Sequence, residues 1–579
     1  MKKLLLLQLG LLALLSLLGS TGCGGGGGGG GSGGSSDPIP TGTPIVVSGI
    51  ATYDSVPPTG SGLDYAATVA KPIRNAIIEV RTSGGTTVLF RALTDEVGSF
   101  SVQAPSNATV RLTVLAALGP NLAAPTVKVV DNTAGLATYA TFRSIGTLAV
   151  DLPGQNLHAA SGFTIGTGYT APRSAAPFAI LDVAKTVVDL LDDVDPGVAI
   201  PALVVGWSFK NTSTTIGTSS FSPSTGRVTI LGHANVDTDE YDTHVIAHEI
   251  GHWFEANFSR ADSIGGSHGN GDILDETVAF GEGFGNAFSG MVTRDAFYRD
   301  TSGPLQGSTG LTLDLEADSV NSADTFPGVA INLDGGWSEI SVQEILWDIF
   351  DGTDDVADGD TDGVALGFGP IYDVLVGPQR TTPGFTTIYS FLTHLKNAQP
   401  AAAIGIDSLA AGENIGAFNS LEQTADGRRR HTVIPTNGSE VTIDVDNDPL
   451  TTYTTFGNIT ADYPGNRLYN WLFFTATLPS SGSWRIRATP DNGSHDVIIR
   501  AARLQPGSVN AVFGGAERLN FTGTTGQVIV FAVGSFAVSG NFSGITRFTV
   551  QLGSPAAVGK PQSSAIPVET EAIEVINNG

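Results

Sequence analysis

Helical periodicity is confined to the middle of this chain, and both flanks consist of short runs of β type. These runs are rich in β-branched and aromatic residues and are separated by Gly, Pro, Ser and Asn, which predicts strands joined by turns. With 579 residues, the chain is too long for one hydrophobic core. The alternation predicts a multidomain fold with a β-sandwich at each end and an α+β domain between them.

The N-terminal β-sandwich is predicted over residues 45–151, with strands at 73–81, 87–94, 100–103 and 109–116. Residues 94–100 read Thr-Asp-Glu-Val-Gly-Ser-Phe, and this piece resembles the T-D-x-x-G-x-F turn of transthyretin-like, carboxypeptidase-regulatory-type domains. In such a turn the Asp and the Gly shape a hairpin before an inward-facing aromatic residue. The resemblance implies a structural or docking module.

The central α+β domain is predicted over residues 152–427. Apolar side chains spaced three and four residues apart predict its first helix, with Pro177 in the first turn. The predicted helices cover residues 177–192, 242–257, 276–291, 341–350 and 388–395, and predicted strands cover 203–207 and 228–231.

The C-terminal part, residues 428–553, returns to the β pattern, with predicted strands at 472–476, 484–488, 496–501, 528–533 and 547–552. This segment resembles the bacterial pre-peptidase C-terminal domain, a β-sandwich that follows many secreted peptidases. Residues 554–579 are predicted to be a flexible tail.

The N-terminus carries an export signal. Met1-Lys2-Lys3 is followed by an apolar run to Leu18 and by four small residues before Cys23, a span too short to cross a membrane as a helix. This end of the signal, residues 1–23, resembles the lipobox of bacterial lipoproteins. The resemblance implies that Cys23 is lipidated and that a lipid anchor holds the exported protein to the membrane of the bacterial envelope, at the outer membrane or cell surface. Residues 24–44 form a Gly/Ser-rich linker.

Two composition features narrow the chemistry further. Cys23 is the only cysteine, so no internal disulfide holds the domains together. The formal net charge is −27, and this charge repels the phosphate backbone of nucleic acids, which are therefore not an expected partner.

The main candidate for chemistry is His248-Glu249-Ile250-Gly251-His252, inside the predicted helix 242–257. Helical periodicity puts the two histidines one turn apart on one face, where both imidazoles can bind one metal ion. Glu249 lies a quarter turn away, near enough to act on a water in an open coordination position. The competing interpretation is a structural histidine pair on an ordinary helix.

Two histidines leave a zinc ion short of protein ligands. A metzincin would place a third histidine six residues after the second, but Phe258 stands there, which excludes that class. The candidates for the third ligand are Glu282, Glu276, Asp275 and His268. The glycines around Glu282 lower helix propensity, and they predict a close approach of another helix or of a substrate.

Residues 278–288 include Glu282-Gly283-Phe284, which resembles the E-G-F-A piece of gluzincin aminopeptidases. Together with the two histidines, this piece makes residues 248–291 similar to gluzincin-type zinc metallopeptidases. The resemblance implies a zincin-like catalytic domain in which His248, His252 and Glu282 bind zinc. It also implies that Glu249 is catalytic and that the substrate is a peptide or protein.

Other histidines and tyrosines are further candidates for roles at the site. His268 is a candidate transition-state stabiliser, because a histidine can donate a hydrogen bond to a tetrahedral oxyanion, or else an exposed loop residue. Tyr372 and Tyr389 are further candidates for that role. His244 lies one turn before His248 and is interpreted as a residue behind the ligands or at the surface.

Two further segments have alternative interpretations. The strand at 228–231 is either an open edge on which an extended peptide pairs, or an inner strand. Asp358-Gly359-Asp360-Thr361-Asp362-Gly363 matches the first half of an EF-hand loop, but Gly369 replaces the Glu at its twelfth position. That loop is either a calcium site or a solvated acidic loop.

These patterns predict zinc-dependent hydrolysis of peptide bonds by a surface-anchored metallopeptidase, with water activated by zinc and Glu249. One alternative is a non-catalytic surface binding or adhesion protein with a structural metal site. Another is a zinc hydrolase that cleaves a different bond. A site closed by four protein ligands would favour the non-catalytic alternative.

Overall fold

The computed structural model describes residues 42–147, 149–266, 268–269, 272–304, 309–316, 334–352, 363–415, 431–446, 466, 471–491, 496–504, 508–509, 515–536 and 545–558. Within these residues the protein is rich in sheets, with helices grouped in the middle of the chain. None of the helices found in this part is long and apolar enough to span a membrane.

The N-terminal part is built from strands: β1 (Pro44–Ser55), β2 (Pro58–Thr59), β3 (Gly62–Leu63), β4 (Val69–Pro72), β5 (Ile77–Thr82), β6 (Val88–Leu93), β7 (Ser99–Pro105), β8 (Val110–Leu115), β9 (Ala117–Leu118), β10 (Val127–Asp131), β11 (Ala137–Thr138), β12 (Ala140–Ile145), β13 (Leu157–Ala159), β14 (Phe163–Thr164) and β15 (Gly168–Tyr169). One sheet runs in the order β13-β1-β4, with β7 also paired to β1, and another in the order β12-β8-β5-β6. Val110, Leu112 and Val114 alternate along β8 and are fully buried, as expected for a strand with one face on a core.

The central part carries the helices: α1 (Ala176–Val194), β16 (Leu203–Trp207), α2 (Ser213–Ile216), β17 (Ser220–Ser222), β18 (Arg227–Ile230), α3 (Thr243–Phe258), α4 (Glu276–Thr293), β19 (Phe297–Ser302), β20 (Thr309–Asp314), α5 (Glu339–Phe350), α6 (Phe368–Val374), α7 (Ile388–Ala398) and α8 (Ala403–Gly412). The five predicted helices correspond to α1, α3, α4, α5 and α7, with ends shifted by a few residues. Helical turns of other types lie at Tyr65–Ala67, Asp239–Tyr241 and Leu375–Gln379.

The predicted boundary at residue 151 divides a sheet that the structure shows as continuous. Strand β10 precedes that boundary, yet it pairs in parallel with β16 over five residue pairs. A single hydrophobic core extends from Val47 to Ile415, across the same boundary. The change of composition near Gly162 therefore marks a connection between elements and not a domain boundary. Local composition could not show this, because it carries no information about which distant strands pair.

The interpretation of strand 228–231 as an open edge is wrong. The sheet runs in the order β11-β10-β16-β18-β17, so β18 lies between two neighbours. It pairs with β16 in parallel and with β17 in antiparallel orientation. The short strand β17, which the sequence did not predict, occupies the outer position.

The C-terminal part is a second β-sandwich: β21 (His431–Val433), β22 (Val441–Asp446), β23 (Trp471–Thr477), β24 (Gly482–Pro490), β25 (Asp496–Ala502), β26 (Ser508–Val509), β27 (Glu517–Gly523), β28 (Val528–Phe536), β29 (Ile545–Gly553) and the short helix α9 (Pro555–Val558). Its sheets run in the orders β21-β23-β28-β25-β26 and β22-β29-β24-β27, and they enclose a core of their own. Val558 is buried, so the predicted tail begins with residues that pack against the sandwich. Residues 559–579 lie outside the described part.

A buried arginine joins the C-terminal sandwich to the central part. Arg500, on β25, is 3% exposed and donates to the backbone oxygen of Asp262 at 2.7 Å and to Thr277 Oγ1 at 3.3 Å. Its guanidinium lies 4.0 Å from the carboxylate of Asp275, which caps the start of α4. The guanidinium also lies over the ring of Trp471, 4.8 Å from the ring centre. The sandwich therefore holds the first turn of α4.

We expect Arg500→Ala to destabilise the protein by about 3–5 kcal/mol, because it leaves Asp275 buried without its positive partner. Arg503→Ala is the matched control, since Arg503 donates to the backbone oxygen of Thr381 across the same contact but is exposed. Thermal and urea denaturation of both variants measure the difference. Equal, small losses in the two variants would show that Arg500 does not hold the two parts together.

Candidate metal centre

The helices α3 and α4 pack side by side and bring three ligand atoms together. The Nε2 atoms of His248 and His252 lie 3.1 Å apart. Glu282, from α4, places its Oε2 3.3 Å from each of these nitrogens. These three residues form a group that could hold a metal ion.

The three separations fit a tetrahedral site. Atoms at the corners of a tetrahedron with edges of this length lie about 2.0 Å from its centre, which is the distance of nitrogen and oxygen ligands from a small divalent cation. Three corners are then occupied by protein atoms. The fourth corner is the position that a water or a substrate takes in an open site.

Neighbouring side chains fix the orientation of both imidazoles. His248 Nδ1 donates to Asn286 Oδ1 at 2.8 Å, and His252 Nδ1 lies 3.4 Å from Glu255 Oε2. A proton on each Nδ1 leaves a lone pair on each Nε2, which faces the shared centre. The sequence analysis did not predict either partner. Each nevertheless lies within one helical turn of a ligand, since Glu255 is three residues after His252 and Asn286 is four residues after Glu282.

Glycines create the space that this arrangement needs. A Cβ at Gly285 would lie 2.8 Å from ring atoms of His248, and a Cβ at Gly283 would lie 2.6 Å from the backbone oxygen of Glu339 on α5. A Cβ at Gly251, on α3, would lie 3.4 Å from the Cα of Gly285. The predicted close approach of another element is therefore present on both sides of α4.

His268 reaches the edge of the site. Its Nε2 lies 3.2 Å from Glu282 Oε2 and 3.7 Å from Glu339 Oε2, and its side chain is 29% exposed. It is not part of the group whose ligand atoms all lie within 4.8 Å of one another, among the residues that the structure describes. The structure thus places His268 against the third ligand, where it can donate a hydrogen bond.

Carboxylates dominate the electrostatics of the site. Burial opposes a charge on His268, but the carboxylates of Glu282 and Glu339 outweigh it and raise the pKa of His268 to about 10. Burial likewise works to raise the pKa of Glu282, yet the charges of His268 and His252 hold that pKa well below its usual range. The Glu282 carboxylate is therefore ionised, as a metal ligand must be.

Glu249 is buried, with 8% of the residue exposed, and follows His248 directly on α3. Its charge acts on Tyr298, on β19. Burial, then the charges of Asp300 and Glu249, raise the pKa of Tyr298 well above its usual value, so its hydroxyl stays protonated. The Tyr298 ring centre lies 6.2 Å from that of His248. No local pattern in the sequence indicated Tyr298.

The other candidates lie elsewhere. Asp275 caps α4 by accepting from the backbone nitrogen of Thr277 at 3.0 Å, and Glu276 is not among the described groups that could hold a metal ion. The hydroxyl of Tyr372 donates to Asp195 at 2.8 Å. Tyr389 packs against the backbone of Gly336.

His244 is buried rather than exposed. Its Nε2 lies 3.0 Å from Thr293 Oγ1 and 3.2 Å from the backbone oxygen of Asp295, so it ties α3 to the end of α4. Cys23 and residues 358–362 of the predicted calcium loop lie outside the described part of the chain.

Comparison with known proteins gives no family. No known family model matches it, and no curated protein matches it. It is similar to the pre-peptidase C-terminal domain of collagenase from Bacillus anthracis, with 9% identity over 22% of this chain and 98% of that one and a TM-score of 0.15. It is also similar to a carbohydrate-binding module of lichenase 5A from Cellvibrio mixtus, with 20% identity over 14% of this chain and 68% of that one and a TM-score of 0.11. At these TM-scores neither likeness supports a conclusion about function.

We expect Gly285→Ala to weaken metal binding by about tenfold or more, because the new methyl group displaces the His248 imidazole. Gly281→Ala is the control, since its Cβ would meet Ser263 at an ordinary 3.4 Å. Bound metal per chain, measured by elemental analysis after dialysis against graded chelator, reports the effect. Equal metal content in the two variants would contradict the assigned role of Gly285.

Proposed function

We propose that this chain is a zinc-dependent metallopeptidase of the gluzincin kind, with its active site on the central, zincin-like part. The observation that carries the proposal is the group formed by His248, His252 and Glu282. Two nitrogens and one carboxylate oxygen at tetrahedral separations are a ligand set typical of catalytic zinc. Calcium and magnesium prefer ligand sets made of oxygen atoms alone, which this group is not.

Within the described residues the group has three protein ligands, and this number favours catalysis over a structural role. Structural zinc sites are closed by four protein ligands, whereas catalytic sites keep three and leave one position for water or substrate. His268 is the nearest additional histidine, and it lies against Glu282 and Glu339 instead of joining the three-residue group. This arrangement speaks against the alternative of a non-catalytic binding or adhesion protein.

Each residue has a defined task in peptide hydrolysis. Zinc, when bound, supplies a Lewis acid that polarises a carbonyl and lowers the pKa of water. Glu249 accepts the proton of the attacking water and passes it to the leaving amine. The protonated hydroxyl of Tyr298 is a donor for the developing oxyanion. His268 contacts the backbone oxygen of Gly266 and Glu282 through its two ring nitrogens, so it must release one of them to act as a second donor. Asn286 and Glu255 hold the imidazoles in place.

The edge of the central sheet suits an extended peptide as the substrate. Strand β17 has one partner, β18, and its other side is the outer edge of the sheet among the described residues. A peptide can add to such an edge through main-chain hydrogen bonds, which are independent of its sequence. Export and attachment through a lipid on Cys23 stay predictions from the sequence.

We expect Glu249→Gln to keep near-normal zinc content while turnover falls by about 10² to 10⁴, because the amide cannot accept the proton of the attacking water. The assay is cleavage of a mixed peptide library, with and without chelator, alongside zinc content. Glu255→Gln is the matched control, since it retains an acceptor oxygen for His252 and leaves Glu249 in place.

Two outcomes would contradict the proposal. If Glu249→Gln cleaves peptides as fast as the parent, Glu249 is not the base. If parent and variant both hold a full zinc and neither cleaves anything, the metal is structural and the protein is a binding protein.

A further inference from the structure

A second group of carboxylates converges beside the start of α3. Asp237 and Asp239 lie just before the helix, and Asp300 comes from β19. Carboxylate oxygens of these three residues all lie within 4.8 Å of one another. Asp242, the residue before α3, lies next to them and accepts from the backbone nitrogen and hydroxyl of Thr301, at 2.9 and 3.0 Å.

Each of the three carboxylates has one buried oxygen without a recorded hydrogen-bond partner. The Oδ1 atoms of Asp237, Asp239 and Asp300 are each buried without a partner in the described structure. Asp239 is 3% exposed, and the one hydrogen bond that it accepts, from Ser219 Oγ, uses its other oxygen. A buried carboxylate oxygen without a donor is costly, and these three oxygens belong to carboxylates that lie within 4.8 Å of one another.

Two arginines bind residues close to the aspartates in sequence, Glu240 and Asp295, and both are engaged there. Arg173 donates to Glu240 and to the backbone oxygen of Gly232. Arg299, on the same strand as Asp300, donates to Asp295 at 2.6 Å. Neither arginine is recorded in an ion pair with the three aspartates. Burial raises the pKa of Asp239 well above its usual value, and burial together with Asp237 raises that of Asp300 to about 7. The cluster must therefore either share protons or hold a positive ion.

We infer that Asp237, Asp239 and Asp300 bind a hard divalent cation of the calcium type. All of the donors are oxygens, which suits calcium and differs from the nitrogen-containing set of the His248 site. The ligands come from two segments that are distant in sequence, so the site forms only when the chain is folded. This site is independent of the proposed peptidase activity.

The location links the cation to the helix that carries the histidines. Asp242 sits between the cluster and the first residue of α3, and Tyr298 stands two residues before Asp300 and beside His248. An ion at the cluster ties the loop before α3 to β19. It would therefore stabilise the start of α3 without touching the His248 group.

The test uses the full chain, stripped of metal by chelator and given one equivalent of zinc. Calcium chloride is then titrated, and both the heat of binding and the thermal midpoint are recorded. We expect the parent to gain several degrees, and Asp239→Asn to bind calcium about 10- to 100-fold more weakly. Asp239→Asn removes charge repulsion, so it is expected to fold.

Two control variants locate the ion. Glu282→Ala, in the histidine site, and Asp360→Asn, in the acidic sequence 358–363, should both keep the calcium response. The inference is overturned if calcium changes neither signal in the parent, which leaves proton sharing as the account of the cluster. It is also overturned if Asp360→Asn abolishes the response while Asp239→Asn retains it.

Discussion

The close contact between α3 and α4 is the condition on which the metal group depends. Glu282 can reach between His248 and His252 because glycines stand where other residues would put a Cβ into the partner helix or into an imidazole. Each glycine in a helix costs about 0.5–1 kcal/mol relative to alanine. The apolar faces of the same helices offset that cost, since Phe254 and Phe288 stack with their ring centres 5.7 Å apart. Aromatic packing between the helices therefore offsets the destabilisation caused by the glycines that the site needs.

Buried charge is the second organising constraint. Only 15% of the residues are charged, yet carboxylates collect around α3, with Glu282, Glu255 and Glu339 at one end and the aspartate cluster at the other. Unpaired buried carboxylates destabilise a fold. At one end, imidazoles compensate them, together with the zinc that we propose. At the other end, the described residues include no cationic side chain paired with the three aspartates, and the inferred calcium ion would fill that role. The stability of the helix and the chemistry of the site are therefore coupled through cations.

Local patterns predicted the elements well and their partners poorly. Spacing along one helix was enough to put His248 and His252 on one face, and the glycines correctly indicated a close approach at Glu282. Periodicity could not show that β10 pairs with β16, or that β17 covers β18, because strand pairing depends on contacts far apart in sequence. For the same reason, local patterns did not indicate the positions of Tyr298 near the metal group and of Arg500 at the start of α4. Asn286 and Glu255 were within reach, since each stands one turn from a ligand.

Anomalous diffraction at the zinc edge tests the proposed open zinc site with three protein ligands most directly. Crystals of the full chain, grown with one equivalent of zinc, should show one ion about 2.0–2.2 Å from His248, His252 and Glu282. Its fourth position should hold solvent, with His268 hydrogen-bonded at the side of Glu282. An ion bound by His268 as a fourth protein ligand, or zinc found away from these three side chains, would contradict the account.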